Sequence, residues 1–313
     1  MTRGAIGATM RQRPAGMPMS APRFPSTSHT ALGGAFVLLW CTGYIAGKLM
    51  VAHAAPLTAL VWRFGLAGVC FGAFALLTRA PWGTRRGIAH SAVAGVLMLA
   101  LQFGGVYLAL SWGASAGVAA LVIGTMPLAV ALLAVWSGAE RLRPTQWAGL
   151  LVGIAGVALV VADRIDGATA WPAWTALLAG LAGIAFGTVY QKRHASDVDL
   201  RTGLAVQNLA ATAMLLPGAL WLEGFRFTST ADFYLPMLWT VVVNSIGGFA
   251  LLFLLIRRGA ATQVAALFFL MPPVTALFGT WTLGEHLTPL KLAGFALAAA
   301  GVWMVTRAGG RAA

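Results

Sequence analysis

Charged residues are scarce in this chain, and acidic residues are the scarcest of them. Only 9% of the 313 residues are charged, and just eight are Asp or Glu, whereas a typical soluble domain has about 25% charged residues. Hydrophobic residues make up 59% of the chain, and 38 residues are glycine. Because small residues let helices approach closely in lipid, this composition is typical of an integral membrane protein.

Cysteine and histidine are also rare, which excludes several kinds of site. Cys41 and Cys70 lie in apolar stretches and form neither a disulfide framework nor a metal-binding pattern. The five histidines lie in the N-terminal segment or near the ends of apolar stretches. We therefore predict no metal, no cofactor and no catalytic residue. An intramembrane enzyme, which needs a nucleophile and a base close together, is the weaker alternative.

The N-terminal segment lacks the apolar core of about 7 to 15 residues that a signal peptide needs. We predict that residues 1–30 form a disordered cytoplasmic tail. The formal charge of +13 comes from basic residues scattered in short connections between apolar stretches. Because these residues do not form one basic face, we predict no nucleic-acid partner.

Ten apolar stretches are long enough to cross a bilayer, which takes about 20 mainly apolar residues. They are Ala31–Met50, Pro56–Thr78, Ser91–Leu110, Gly117–Ser137, Gln146–Ala162, Pro172–Tyr190, Thr202–Trp221, Tyr234–Ile256, Thr262–Leu283 and Leu290–Thr306. Most Lys and Arg residues lie in alternate connections, and such residues resist translocation. We therefore predict a multi-pass inner (plasma) membrane protein with both termini in the cytoplasm.

The sequence contains an internal repeat. Residues 118–121 and 264–267 both read Val-Ala-Ala-Leu, 146 residues apart, and a weaker match at an offset of 144 pairs Gly43 with Gly187. After a one-residue shift, Glu140, Leu142, Pro144, Ala148, Gly149, Gly156 and Val157 recur as Glu285, Leu287, Pro289, Ala293, Gly294, Gly301 and Val302. Five spans in each half would insert the second half upside down, as in many transporters.

We therefore predict an all-α integral membrane protein of ten transmembrane helices in two inverted five-helix repeats. The repeats are residues 31–163 and 172–306, and a short cytoplasmic tail, residues 307–313, follows them. Two similar units of opposite orientation can open the cavity between them first to one side and then to the other. The inverted repeats therefore predict transport by alternating access.

The same residues resemble the EamA-like exporters of the drug/metabolite transporter superfamily, from Ala31 to Thr306. The resemblance is carried by Trp40, Gly43, Gly47, Lys48, Pro56, Arg63, Tyr107, Ala109, Ala114, Pro127, Glu140, Gln146, Gly149, Gly153, Gly156 and Val157, and then by Pro273, Gly284, Glu285, Thr288, Gly294, Gly301 and Val302. It implies movement of amino acids, related metabolites or drugs, usually outward. One departure is that Arg257 and Arg258 stand in the second half without a counterpart of Tyr107, which leaves the type of substrate open.

We expect export of small organic metabolites such as amino acids by alternating access. An uptake carrier of the same fold and a channel are the alternatives within membrane transport. The expected partners are a small-molecule substrate and the lipid bilayer, with the protein as a monomer or homodimer. All eight acidic residues lie in connections or at span ends, so we do not predict proton coupling through a buried carboxylate.

Three prolines inside predicted spans, Pro127, Pro272 and Pro273, mark helix breaks that we expect either to serve gating or to be packing kinks. A proline removes one amide donor and strains the carbonyl four residues earlier, which lipid tolerates only beside protein, water or a cavity.

Polar residues inside spans give the predicted substrate site, because each is costly against hydrocarbon. Arg63 leads, since a guanidinium can pair with a carboxylate in bidentate fashion; a structural bond to backbone carbonyls is the alternative. The full predicted set is Trp40, Tyr44, Arg63, Gln102, Tyr107, Tyr190, Asn208 and Asn244. We expect Lys48 to extend towards the outer interface and Glu285 to cap or order the start of the last span.

Overall fold

The computed structural model describes residues 27–136, 143–162, 171–248, 251, 254–255 and 270–309. Within these ranges the chain is helical apart from its connections, with one isolated β-bridge between Ala54 and Phe227. The helices are α1 (Thr27–His53), α2 (Pro56–Leu77), α3 (Arg85–Gly95), the π-helical segment π1 (Val96–Leu101), α4 (Gln102–Ser111), α5 (Ala116–Gly124), α6 (Met126–Trp136), α7 (Pro144–Ala162), α8 (Trp171–His194), α9 (Leu200–Trp221), α10 (Ala231–Trp239), the π-helical segment π2 (Thr240–Gly247), α11 (Met271–Leu283) and α12 (Pro289–Gly309).

Six helical stretches are long and apolar enough to cross a membrane. They are Ala31–His53, Pro56–Leu77, Arg85–Ser111, Ala116–Leu133, Trp171–His194 and Leu200–Trp221, and shorter apolar helices occupy Pro144–Val160 and Pro289–Val305. The predicted all-α class is confirmed for the described residues. The predicted spans 234–256 and 262–283 lie partly outside the described residues. Glu140, Arg257, Arg258 and the second Val-Ala-Ala-Leu segment lie wholly outside them.

Two π-helical segments interrupt the helices that begin at Arg85 and Ala231. They start at Val96 and Thr240, 144 residues apart, which is the offset that pairs Gly43 with Gly187 in the sequence. In π2, Ser245 Oγ donates a hydrogen bond to Thr240 O, five residues earlier, at 3.1 Å. Such wide turns occur frequently at functional sites.

The helical stretch Ala116–Leu133, which covers most of the predicted span 117–137, is interrupted at one residue. It breaks at Thr125, whose side-chain Oγ1 donates to Val122 O at 2.6 Å between the end of α5 and the start of α6. Pro127 consequently lies in the first turn of α6, where a missing amide donor costs little. The proline strain expected for a helix interior is therefore relieved by starting a new helix.

Backbones of α7 and α12 meet at their glycines. A Cβ added to Gly149 would lie 2.8 Å from Gly301 O, and one added to Gly156 would lie 2.7 Å from Gly294 O. Both distances are too short for a real side chain, so these positions require glycine. The two helices cross antiparallel, because the start of one faces the end of the other.

The two ends of the bundle are named after residues that they hold. The Glu223 end contains the α1–α2 connection, residues 222–230, and the connection that leads into α12; a bond from Ala55 N to Arg226 O, 3.0 Å long, joins the first two. The His90 end contains the α2–α3 connection, which accepts a hydrogen bond at Pro81 O from Thr202 Oγ1 at 3.2 Å. A large apolar core lies between these ends.

Candidate functional site

A buried arginine lies where α1, α2 and α4 meet. Arg63 of α2 is 5% exposed, and its Nη1 donates a hydrogen bond to Tyr107 Oη at 3.1 Å. Tyr107 donates in turn to Met50 Sδ at 3.7 Å, and Thr240 Oγ1 of π2 contacts the same sulfur at 3.9 Å. Three helices and a π segment thus converge on one buried chain of polar contacts.

The Arg63 guanidinium also packs on aromatic rings. Its Cζ lies 4.4 Å from the centroid of the Phe103 ring and 5.5 Å from that of Phe64, which are cation–π distances. Arg63 Nε is buried and has no hydrogen-bond partner in the described part of the chain. Because a guanidinium has five N–H donors and stays charged, this arrangement can receive an anionic group such as a carboxylate.

Two glycines let neighbouring side chains lie against the α1 backbone. A Cβ added to Gly47 would lie 3.2 Å from Tyr107 Oη, and one added to Gly43 would lie 3.1 Å from Asn244 Cγ. Gly43 and Gly47 are four residues apart and therefore share one face of α1. We call residues 40, 43, 44 and 47 the glycine face of α1.

Asn244 of π2 is tied to α1 through its amide nitrogen. Its Nδ2 donates to Leu39 O at 2.5 Å and contacts Thr42 Oγ1 at 3.3 Å, while Trp239 Nε1 donates to the same hydroxyl at 2.9 Å. Asn244 Oδ1 is buried and accepts no hydrogen bond from any described residue. Asn244 is therefore positioned by α1 and keeps one unused acceptor.

Tyr44 and Trp40 complete the glycine face. Tyr44 packs against the apolar core. Trp40 packs on Phe36 with ring centroids 5.3 Å apart. Of the predicted substrate residues, the structure therefore gathers Trp40, Tyr44, Arg63, Tyr107 and Asn244 along α1.

Two other predicted residues are buried but are not part of this cluster. Asn208 Nδ2 donates to Leu204 O of its own helix at 2.8 Å. Gln102 begins α4 immediately after π1, and its side chain makes no hydrogen bond within the described ranges. Its backbone carbonyl packs closely on Gly180, where an added Cβ would lie 2.8 Å away.

Tyr190 lies at the His90 end, remote from Arg63. Its Oη is 2.7 Å from His90 Nδ1, and His194 stacks on the His90 ring with centroids 5.1 Å apart. Arg86 Nε lies 3.4 Å from His90 Nε2 and can only donate to it. The structure thus places Tyr190 in a ring cluster between α3 and α8 rather than beside Arg63.

The predicted helix breaks face one another. Pro272 lies in the first turn of α11, and a Cβ added to Gly124 at the end of α5 would lie 3.1 Å from Pro272 Cγ. Pro273 follows in the same turn and is half-buried. The carbonyls of residues 268 and 269, which we expected to lose their partners, lie outside the described residues.

Glu223 closes one end of the bundle by capping a helix from elsewhere in the chain. Its carboxylate accepts hydrogen bonds from Leu57 N at 2.9 Å, Thr58 N at 2.8 Å and Thr58 Oγ1 at 2.8 Å. The first amides of a helix have no partner inside that helix, and the helix dipole favours an anion there. Glu223 therefore fixes the start of α2, the helix that carries Arg63.

The segment around Glu223, residues 222–230, is here called the strap. It pairs with the α1–α2 connection through Thr228 N and His53 O at 2.7 Å and through the Ala54–Phe227 bridge. The Phe227 ring packs on Trp62, whose ring centroid is 5.5 Å away. Phe225, Phe233 and Tyr234 extend the aromatic cluster. The strap thus covers the end of the bundle nearest to Arg63.

The structure corrects the predicted cap of Glu285 and gives partners to Lys48. Glu285 does not cap α12, since its Oε1 accepts from Ala116 N at the start of α5 at 2.7 Å. Lys48 Nζ donates to Leu110 O in the last turn of α4 and to Ala114 O just beyond that helix, both at 2.8 Å. Lys48 therefore binds carbonyls at the end of α4 and in the connection that follows it, and its position at the outer interface stays a prediction.

Several residues of the cluster were missed from the sequence, chiefly Met50, Phe103 and Thr240. Nothing distinguishes them there from the many apolar and small polar residues in neighbouring spans. Glu223 was treated as an ordinary residue of a connection. The start of α2 at Pro56 marks free amides that need an acceptor, and this signal could have directed attention to the chain's few acidic residues.

Sequence comparisons identify the class to which this fold and buried cluster belong. The family model described as "EamA-like transporter family" matches residues 30–162 and 171–307. The chain belongs to the EamA-like transporter family, and it is a multi-pass membrane transporter of small molecules.

Individual relatives are more distant. The chain is 27% identical over 259 residues to the "Uncharacterized inner membrane transporter YedA" of Escherichia coli strain K12, covering 82% of this chain and 83% of that protein. It is 26% identical to the "Uncharacterized transporter YvbV" of Bacillus subtilis strain 168, covering 90% and 93%. It is 26% identical to the "Probable amino-acid metabolite efflux pump" of Salmonella typhimurium strain LT2, covering 86% and 91%.

A solved structure shares the fold. It aligns with a TM-score of 0.61 at 21% sequence identity and covers 92% of this chain and 99% of the other. At this identity the likeness concerns the fold alone.

Proposed function

We propose that this protein is a secondary transporter that exports small organic metabolites bearing a carboxylate, amino acids or related compounds, by alternating access. In this proposal ten membrane-crossing helices form two inverted repeats, residues 31–163 and 172–306. The buried Arg63, which keeps an unused donor beside Tyr107, is the observation that carries the substrate assignment.

The proposed repeat is supported by the α7–α12 crossing. The sequence repeat pairs Gly149 with Gly294 and Gly156 with Gly301. In the structure Gly149 lies against Gly301, and Gly156 lies against Gly294. Exchanging each residue for its repeat counterpart converts one contact into the other, as a pseudo-two-fold axis requires.

The π segments support the same relation. Gly43 of α1 packs on Asn244 of π2, while its repeat counterpart Gly187 of α8 packs on π1, where an added Cβ would lie 3.0 Å from Leu97 Cβ. In each proposed repeat, the first helix therefore packs on the wide turn of the other repeat's third helix. An axis of this kind lying in the membrane plane is the basis of alternating access.

We place the Glu223 end outside the cell, because most Lys and Arg residues lie in the connections of the opposite end. The strap then closes the outer side, and both termini are cytoplasmic. Reporter fusions at each terminus test this orientation. An external signal from either fusion would contradict it.

In this proposal the substrate carboxylate binds Arg63 and Tyr107, while Trp40, Tyr44 and Asn244 line the remaining path along α1. Gln102 extends the polar lining. The helix breaks at Pro127, Pro272 and Pro273 lie at positions where short helices can reorient. Export is supported by the "Probable amino-acid metabolite efflux pump" among the relatives.

Metabolite profiling tests the function and its direction. Medium from cells that overproduce the protein is compared with medium from cells carrying an empty vector or the Pro273→Ala variant. We expect at least one carboxylate-bearing metabolite to accumulate outside only with the unmodified protein. Depletion from the medium would indicate uptake instead, and no change in any metabolite would contradict transport of metabolites.

Proteoliposomes test the carrier mechanism. We expect saturable counterflow of the metabolite found by profiling. Unsaturable flux would indicate a channel. Chemical conversion of the metabolite would indicate an enzyme.

The strap offers a direct test of alternating access. In a background with Cys41→Ala and Cys70→Ala, cysteines replace Ala54 and Phe227, the two residues of the β-bridge. Directly paired residues on neighbouring strands lie within disulfide distance. We expect oxidation to stop counterflow and reduction to restore it, while each single-cysteine variant stays active. Full counterflow after complete cross-linking would contradict opening at this end.

A further inference from the structure

The acceptor that Asn244 leaves unused has a fixed direction. Asn244 is 7% exposed, and its Nδ2 donates to Leu39 O. A backbone carbonyl only accepts hydrogen bonds, so the amide cannot be turned round without losing this bond. Oδ1 therefore remains the acceptor of this amide, and among the described residues none donates to it.

The residues that carry the unused acceptor and the unused donor are both linked to the glycine face of α1. Asn244 covers Gly43, and Tyr107, the partner of Arg63, covers Gly47. Positions four residues apart on a helix differ by about 6 Å along its axis. Asn244 and the Tyr107 partner of Arg63 thus contact adjacent turns of the same face of α1, and Asn244 and Arg63 are each more than nine-tenths buried.

Each group fits a different part of one ligand. Arg63 Nε is a cationic donor and suits an acid, whereas Asn244 Oδ1 is a neutral acceptor and suits an N–H group. A ligand that offered an acceptor at the second position would place two oxygens against each other. Both groups would also remain costly if left unpaired in a buried site.

We infer that Asn244 determines specificity by accepting a hydrogen bond from an ammonium group next to the ligand's carboxylate, and so excludes the corresponding 2-oxo acids. This inference rests on the proposed function for the carboxylate position at Arg63. It adds that an acid alone is insufficient. A 2-oxo acid keeps the carboxylate and the side chain of its amino acid but presents a carbonyl oxygen to Asn244.

Binding to the purified protein tests the inference without requiring transport. The probes are four matched pairs: L-alanine and pyruvate, L-leucine and 4-methyl-2-oxopentanoate, L-phenylalanine and phenylpyruvate, and L-glutamate and 2-oxoglutarate. Affinities are measured by calorimetry on the full chain in detergent. For at least one pair, we expect the amino acid to bind at least about tenfold more tightly than the 2-oxo acid, since unpaired polar groups reject analogues strongly.

Two variants assign the selectivity to Asn244. In Asn244→Leu we expect the ratio to fall below about threefold, mainly through weaker binding of the amino acid. Asn244→Asp loses the bond to Leu39 O, but it keeps an oxygen acceptor and adds a negative charge that attracts an ammonium group, so it should keep the preference. Ser245→Ala, at the next position of π2, is the matched control and should leave the ratio unchanged. Thermal unfolding shows whether each variant is folded.

The outcomes separate this inference from the proposed function. Equal affinities within every pair, binding of none of the probes, or an unchanged ratio in Asn244→Leu would overturn the inference. If Asn244→Leu does not fold, loss of the preference in Asn244→Asp would overturn it as well. Selective binding without any counterflow would instead contradict the transport proposal and leave the role of Asn244 standing.

Discussion

Two buried polar regions lie on opposite sides of α2 and differ in how their hydrogen bonds are used. On the α9 side, Asn208 is 3% exposed and its Nδ2 donates to Leu204 O within its own helix. On the α1 side, Arg63 and Asn244 are almost as deeply buried, yet each keeps an atom that has no partner among the residues that the structure describes. Burial of a polar residue in a membrane helix therefore does not by itself indicate a ligand site. The unused hydrogen-bonding atom is the more informative sign.

We expect the largest effect on transport from a substitution of Arg63. We expect Arg63→Met to lower the initial rate of counterflow at least about 100-fold, because a charge-assisted hydrogen bond is worth about 3 kcal/mol at the upper end. Asn208→Leu, the matched change on the α9 side, should stay within about threefold. Counterflow in proteoliposomes with equal protein content measures both.

Arg63→Lys refines the same test. It keeps the charge but loses the planar fork of donors, so we expect partial recovery. Equal losses for Arg63→Met and Asn208→Leu would show that both residues act through stability alone.

Tyr107→Phe should have a smaller effect on the same side. The change removes the hydroxyl that accepts from Arg63 Nη1 and leaves the ring in place. One lost hydrogen bond of this kind corresponds to about 1.5 kcal/mol, so we expect the apparent affinity for substrate to fall about tenfold. The concentration dependence of counterflow measures it. A lower maximal rate with unchanged affinity would argue against a role in binding.

Two glycine substitutions compare the steric tolerance of the two sides. Gly47→Ala places a methyl group 3.2 Å from Tyr107 Oη, whereas Gly65→Ala on the α9 side of α2 meets Thr212 Cγ2 at an ordinary 3.6 Å. We expect Gly47→Ala to reduce counterflow by about fivefold, because small displacements at a positioned site are costly. Gly65→Ala should leave it unchanged. Similar rates for the two variants would show that Tyr107 tolerates displacement.

The smallest effect concerns stability rather than transport. Asp199 caps α9 by accepting from Arg201 N at 2.9 Å, and the Arg201 side chain bonds the same carboxylate. This side-chain hydrogen bond lowers the pKa of Asp199 below its ordinary value. We expect Asp199→Ala to lower the free energy of unfolding by about 1 kcal/mol and Tm by about 2 °C, with normal counterflow.

The contribution of Asp199 to stability should depend on pH in a defined direction. Because the pKa of Asp199 is lower in the folded protein, its stabilising contribution is complete above the unfolded value of about 3.9 and is lost as the pH falls through the folded value. Thermal unfolding of the unmodified protein and Asp199→Ala at several pH values should therefore converge in acid. A constant difference across that range would exclude this ion pair as the cause.

Sequence patterns predicted the positions of the helices better than they predicted the contacts between side chains. Apolar stretches of about 20 residues are a direct consequence of bilayer thickness, so spans such as Pro56–Thr78 closely match helices of the structure. Arg63 also stood out, because a charge inside such a stretch is rare. The break at Thr125 was recognised through Pro127, although as a strained helix interior rather than as the start of a new helix.

Contacts between residues that are distant in the sequence could not be predicted from it. Tyr190 and Tyr107 are alike as residues in or at the end of apolar spans, yet they lie towards opposite ends of the bundle. Glu285 precedes α12 in sequence but binds the start of α5, because its direction depends on how α5 and α11 pack. Such choices arise from tertiary geometry, and a single sequence carries little record of it.

The crossing of α7 and α12 has a mechanical consequence. At Gly149 and Gly156 the contact is between backbones, with no side chains in between that could change rotamer. Because such a contact has no side chains that can rearrange, we expect α7 and α12 to move together as one rigid unit. Any large rearrangement would then have to be accommodated elsewhere in the fold, and the turn at Thr125 between α5 and α6 is one such place.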